Sequence, residues 1–123
     1  MNCYCCSLKQ YASCCEPYIF GHLKPETAEN LMRSRFSAYT ISNIDYLINT
    51  TYFSSVKFHD GLEMLSFANQ NKWTKLEIIN FSETQVEFKA HYIDKNLKPQ
   101  IHHEKSTFKK ENDGWFYVDG KWY

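Results

Sequence analysis

The chain has 123 residues, the size of one ordinary domain. Its 43% hydrophobic and 17% aromatic content supplies a packed core and excludes a disordered chain. Lys plus Arg and Asp plus Glu balance at fourteen each, so no global field selects nucleic acid or an anionic membrane, and no apolar run approaches the ~20 residues of a membrane span.

The chemistry comes first in the chain. Cys3, Cys5, Cys14 and Cys15 stand at the spacing C-x-C-x8-C-C. Thiolates in two short clusters can close a tetrahedron around one Zn2+, and structural zinc sites take four Cys or His ligands. Two other readings compete. A disulfide framework belongs to secreted chains, yet the start Met1-Asn2-Cys3-Tyr4 has neither the basic nor the apolar stretch of a signal peptide, and a vicinal Cys14–Cys15 bridge is strained. A redox pair of low-pKa thiols usually has the helix-opening C-x-x-C arrangement, which C-x-C and C-C lack. The preferred reading is a zinc cage of Cys3, Cys5, Cys14 and Cys15 in a reducing cytosol; with all four ligands from protein, the metal is structural. Cys5 is preferred to Cys6 because Cys3 and Cys5 approach one metal from a tight turn with Tyr4 pointing away. Cys6 is then a spare thiol open to oxidation or intermolecular pairing. His22, near the cluster in sequence, is a substitute ligand if Cys3 frays.

Glu16 to His22 reads as an irregular connector broken by Pro17 and Gly21. Pro25 and Glu26 suit a first helical turn, and Ala28, Met32, Phe36 and Tyr39 follow at helical spacing, predicting a helix from about Glu26 to Thr40. Ser42-Asn43-Ile44-Asp45 offers an N-cap to a shorter helix with Ile44, Leu47 and Ile48 as its apolar stripe. Asp60-Gly61-Leu62-Glu63 repeats the capping logic ahead of a third helix ending near Asn69 to Asn71. Beyond Trp73 the period drops to two. Trp73 to Phe81 reads as a strand. Val86, Phe88, Ala90 and Tyr92 alternate with Glu87, Lys89 and His91 in the next, and His102 to Lys110 and Trp115 to Val118 make two more around the turn Glu111-Asn112-Asp113-Gly114. Helices first and an antiparallel meander second indicate an α+β domain.

Two stretches resemble the YchJ-like family of small bacterial proteins. The first runs from Cys3-Tyr4-Cys5 through Tyr11-Ala12-Ser13-Cys14-Cys15-Glu16-Pro17-Tyr18-Ile19 and on through Thr27 to Tyr39; it is similar to a SEC-C type zinc-binding motif joined to the family's first helix. The second is His103-Glu104-Lys105-Ser106-Thr107-Phe108 followed by Gly114-Trp115-Phe116-Tyr117-Val118-Asp119-Gly120, similar to the family's last hairpin. The resemblance implies an NTF2-like fold, with helices packed into the concavity of a curved antiparallel sheet, and divides the chain into a knuckle over 1–22 and an NTF2-like domain over 23–123. It also implies a docking role, since SEC-C motifs elsewhere serve as small surfaces for partner proteins. One departure stands out. Where the motif carries a Pro between its first cysteines and a Gly-Ser-Gly turn after them, this chain has Tyr4 and Cys6-Ser7-Leu8, which predicts a displaced turn and misplaced donors to the thiolates.

The cone of such a sheet is a core, a ligand pocket or an active site. Glu104, Ser106 and Phe108 share one strand face. Glu104 is expected to pair bidentately with Arg33 or Arg35 from the first helix, because buried charges persist when paired. Arg35, Tyr39 and Glu104 are the alternative pocket residues. His102 and His103 point to opposite faces and do not hold one ion. The aromatics Trp73, Trp115, Tyr117, Trp122 and Tyr123 read as core and edge packing rather than a base-stacking platform. The leading expectation is a non-enzymatic, zinc-binding cytosolic protein that docks a protein partner. The alternative is an NTF2-like enzyme or small-ligand binder, with Glu104, Tyr39 or Asp45 as acid or base if it is an enzyme.

Overall fold

The computed structural model describes residues 1–56 and 60–123. An antiparallel bridge between Asn2 and Gln10 closes the cysteine segment, a 3-10 turn spans Tyr11–Ser13, and one helical turn, α1 (Glu16–Ile19), leads out. The connector expected over 16–22 is therefore partly helical. Pro17 sits in the first turn, where a missing N–H costs nothing, and Gly21 at φ +80 ends the turn.

Helix α2 (Ala28–Thr40) starts two residues later than the Pro25-Glu26 signal suggests, because Thr27 is its cap: Oγ1 accepts from the Asn30 amide at 3.0 Å. Its buried residues go beyond the stripe of Ala28, Met32 and Phe36 to include Leu31, Ser34, Arg35, Ser37 and Ala38. A helix buried on so many sides has neighbours on each of them: the sheet on one, the cysteine segment and α3 (Ile44–Asn49) on the others. The Asn43 side chain caps α3, accepting from Tyr46. A further single turn, α4 (Phe53–Val56), has no apolar periodicity to mark it. Asp60 caps α5 (Gly61–Gln70), accepting from Leu62 at 2.8 Å and Glu63 at 3.4 Å. No helix among the described residues is long and apolar enough to cross a membrane.

The sheet is an antiparallel meander in the order β1 (Lys72–Phe81), β2 (Gln85–Ile93), β3 (Pro99–Glu111) and β4 (Gly114–Trp122). Asn112 and Asp113, both at positive φ, make the two-residue turn into β4. That strand continues past Val118 to Trp122, with Val118 an extra residue in the ladder: the register passes from Thr107 opposite Asp119 to Phe108 opposite Tyr117. In β1, Thr74 is extra in the same way, between Trp73 opposite Tyr92 and Lys75 opposite His91. Each bulge resets the alternation. Trp73 and Leu76, three residues apart, both face inward, as do Tyr117 and Gly120. The bulges also bend the sheet around α2, and a single core cluster joins Leu31, Phe36 and Leu47 to Val86, Phe88 and Phe108. Helices on a curved antiparallel sheet, with a small knuckle at the N-terminus, is the expected architecture.

Candidate functional site

Cys3, Cys5, Cys14 and Cys15 converge, with their four Sγ atoms within 4.8 Å of one another. The Cys5–Cys14 and Cys14–Cys15 sulfurs are 3.7 and 3.9 Å apart. A tetrahedron of thiolates at the Zn–S distance has edges of ~3.8 Å, so the donor set fits one such ion with small adjustment. All five cysteines are free thiols. Cys3, Cys5 and Cys15 are buried and belong to the core cluster, so the segment has no separate core and packs as part of the main one.

Cys6 lies outside this group. It is a free, exposed thiol, and its Sγ accepts from the Leu76 amide of β1 at 3.5 Å, which links the knuckle to the sheet. His22 is exposed and takes no part in the cluster; its amide donates to the Pro17 carbonyl. The glycine-free turn closes with residues in glycine-like conformations. Cys6 at φ 63 and Leu8 at φ 69 both adopt the left-handed conformation that glycine takes without penalty, and the Cys6 amide still donates to the Cys3 carbonyl at 3.3 Å. Hydroxyls meet the sulfurs from outside the cluster: Ser7 Oγ lies 3.2 Å from Cys14 Sγ, and Ser37 Oγ of α2 lies 3.7 Å from Cys3 Sγ. Crowding splits the thiols. Hydrogen bonds from Cys15 and then Cys5 hold Cys3 below the ordinary thiol range, and Cys15, which donates to Cys3 and to Cys5, is pushed well above it. Burial raises Cys14. A divalent metal held by these four sulfurs would replace the shared protons, so its uptake would release them.

The second feature is a cavity of about 540 Å³ between α2, α5 and the concave face of the sheet. Arg35, Tyr39 and Glu104 all line it. Asp45 is exposed on α3 and does not. The expected bidentate link between Glu104 and an arginine is absent among the described residues. Arg33 instead pairs with Glu29 at 2.9 Å and donates to the Cys5 carbonyl at 2.7 Å. Arg35 donates from Nη1 to the Leu47 carbonyl at 2.9 Å and to Thr50 Oγ1 at 2.7 Å, and its guanidinium lies 4.7 Å from the Tyr117 ring centroid. Tyr117 stands between the two charges, since its hydroxyl donates to Glu104 Oε2 at 3.0 Å. The physical reason is the register of the β3–β4 hairpin, which sets Tyr117 opposite Phe108 on the inward face.

Glu104 is 5% exposed and accepts from three neighbours: His102 Nε2 at 2.7 Å on Oε1, and Ser106 and Tyr117 on Oε2. Burial alone raises a carboxyl group, but the His102 and Ser106 hydrogen bonds outweigh it and hold Glu104 below the usual carboxylate range. Burial, reinforced by the Glu104 charge, raises the Tyr117 hydroxyl, which stays a donor. His103 faces the other side of the sheet and pairs with Glu87 at 2.8 Å. Of the aromatics, Trp115 is buried, Trp73 and Tyr117 are half-buried in the cavity wall, and Trp122 and Tyr123 are exposed. His102 and Ser106 are the wall residues that sequence reasoning left unassigned; their signal is the alternate spacing His102, Glu104, Ser106 on one strand face.

A curved antiparallel sheet closing over a helix, with a four-cysteine knuckle docked on that helix, defines an NTF2-like domain carrying a SEC-C type segment. The family model described as YchJ, middle NTF2-like domain, matches residues 27–120. The chain belongs to this YchJ family. It is 38% identical over 130 residues to a UPF0225 protein of Vibrio cholerae, covering 98% of this chain and 83% of that protein, and 39% identical over 123 residues to one of Actinobacillus succinogenes, covering 95% and 79%. Its structure is similar to the solution structure of a SEC-C motif containing protein from Rhodopseudomonas palustris, with a TM-score of 0.89 and 30% identity over 98% of both chains. It is also similar to the crystal structure of a SEC-C motif containing protein from Psychrobacter arcticus, with a TM-score of 0.82 and 30% identity over 97% of this chain and 81% of that one.

Proposed function

We propose that Cys3, Cys5, Cys14 and Cys15 hold one structural Zn2+, and that the metal-folded knuckle docks a protein partner in the cytosol. The observation that carries the metal is the convergence of four sulfurs at separations suited to a Zn–thiolate tetrahedron. A reducing compartment keeps all five thiols available. The docking half is supported by exposed apolar side chains in and just after the knuckle, Leu8, Phe20 and Leu23, and by the likeness to two SEC-C motif containing proteins. Elemental analysis of protein purified without chelator tests the metal: one equivalent of zinc in the wild type and none in the Cys14→Ser, Cys15→Ser double variant is expected, and equal content in both overturns it. A photo-crosslinker at Phe20 tests docking, with capture of a defined protein in cells that Leu23→Asp abolishes as the expected result.

A second reading is favoured by the cavity: the cone is a small-ligand site rather than a filled core. Glu104 there is held ionised by three donors, which suits positioning of a ligand better than a general acid with a raised pKa.

A further inference from the structure

The cavity sorts its polar groups unevenly. On one wall the Glu104 carboxylate is held by three donors, His102 on one oxygen and Ser106 and Tyr117 on the other. Arg35 lines the same space at 5% exposure and spends only Nη1 on protein acceptors, the Leu47 carbonyl and the Thr50 and Thr51 hydroxyls. Its Nε and Nη2 have no acceptor among the described residues, and a tyrosine ring rather than a carboxylate covers its face. An arginine stays charged in a protein, so this is a buried cation with open N–H groups and no ion-pair partner among the described residues. One turn along α2, the Tyr39 hydroxyl also lines the cavity and makes no hydrogen bond among the described residues.

Open donors therefore outnumber open acceptors. An amine finds only the Tyr39 hydroxyl as an open acceptor beside Arg35, which repels it, while Glu63, the other lining carboxylate, is exposed. A carboxylate matches the planar guanidinium edge with two parallel hydrogen bonds. The rest of the wall is largely aromatic: Trp73 packs tilted or edge-on at 4.8 Å from Tyr92, 5.5 Å from Phe67 and 5.7 Å from Tyr39, measured between ring centroids. Such a wall accepts a flat apolar body, and about 540 Å³ is within the range of small-molecule sites.

Resting on the reading of the cone as a ligand site, we infer that its ligand is a flat aromatic monocarboxylate, bound with its carboxylate on Arg35 Nε and Nη2 and its ring among Tyr39, Phe67, Trp73 and Tyr92. Calorimetric titration of the full chain with 2-naphthoate and with its uncharged counterpart 2-naphthamide tests this. The acid is expected to bind with a Kd below about 1 mM, and the amide at least about tenfold more weakly. Arg35→Lys keeps the charge but loses the fork, and is expected to weaken the acid about tenfold. Ala90→Phe leaves Arg35 intact while filling the cavity and is expected to abolish binding, with the urea midpoint of each variant reporting that it folds. Equal affinity for acid and amide overturns the carboxylate assignment and leaves the cavity as a ligand site. Absence of binding by both probes overturns the assignment and that reading together. Binding that survives in a folded Ala90→Phe places the probe elsewhere and also overturns the assignment.

Discussion

Arg33 donates from Nη1 to the backbone carbonyl of Cys5 at 2.7 Å while its Nε is held by Glu29 one turn earlier on α2. One side chain thus fixes a carbonyl of the cysteine segment to the central helix of the NTF2-like domain. Cys3 beside Ser37 and Cys6 beneath the Leu76 amide add two more attachments. The knuckle and the helix it covers share a core, so their stabilities are coupled. Replacing Arg33 by Ala is expected to cost about 1–2 kcal/mol in urea unfolding and to speed release of bound zinc to a chromogenic chelator. Unchanged release kinetics would separate the two parts.

Leu8 is 82% exposed and sits at φ 69. It pays the left-handed penalty of an L-residue and contributes no packing in return. Leu8→Gly is expected to stabilise the protein by about 0.5–1 kcal/mol, the left-handed cost relieved minus the added freedom of the unfolded chain. The shift in urea midpoint measures it.

Cys6 supplies a sulfur to the Leu76 amide and none to the cluster. Cys6→Ala is expected to keep one equivalent of zinc while Cys5→Ala loses it, with cobalt substitution and its thiolate charge-transfer absorption as the readout. Loss of metal in both variants would move a ligand from Cys5 to Cys6.

Gly120 stands against the Glu104 side chain so closely that an added Cβ would overlap the carboxylate. Glu104 is pinned by three donors and cannot swing aside without leaving them unpaired. Gly120→Ala is expected to cost about 2–4 kcal/mol, and much less in a Glu104→Ala background, a coupling that a double-mutant cycle in urea reads directly.

The depressed Glu104 value also has a pH consequence. Because its folded pKa lies below the unfolded one, its contribution to stability is complete above the unfolded carboxyl value of about 4.3 and is lost as pH falls through the lower folded value. Glu104→Gln is expected to destabilise the protein by about 1–3 kcal/mol at neutral pH, with the difference from wild type shrinking in strongly acid solution. Taking the difference between the two proteins at each pH removes the acid sensitivity of the cysteine site, which both share.

Much of this molecule is written in local patterns. Cysteine spacing picked out the four sulfurs that meet, cap residues located α2, α3 and α5, and period-two alternation marked β2 and β3 from His102 onward, because each of these signals depends on a few neighbouring residues and the geometry of one element. What the sequence could not fix is everything that depends on parity between strands or on contacts across the fold. Bulges, those at Thr74 and Val118 among them, reset which residues face inward, so Trp73 reaches the cavity and Gly120 meets Glu104, while the hairpin register puts Tyr117 between Arg35 and Glu104 in place of the direct ion pair. A bulge is an extra residue tolerated by tertiary curvature, and no local propensity announces it. Likewise Cys6 and Leu8 take glycine-like conformations because the bridge from Asn2 to Gln10 and the packing of Cys3, Cys5 and Cys15 against α2 outweigh the local strain. The chain alone determined which sulfurs meet and where the main helices and strands lie, whereas the assembled core decided how that segment is held and what the cone presents to a ligand.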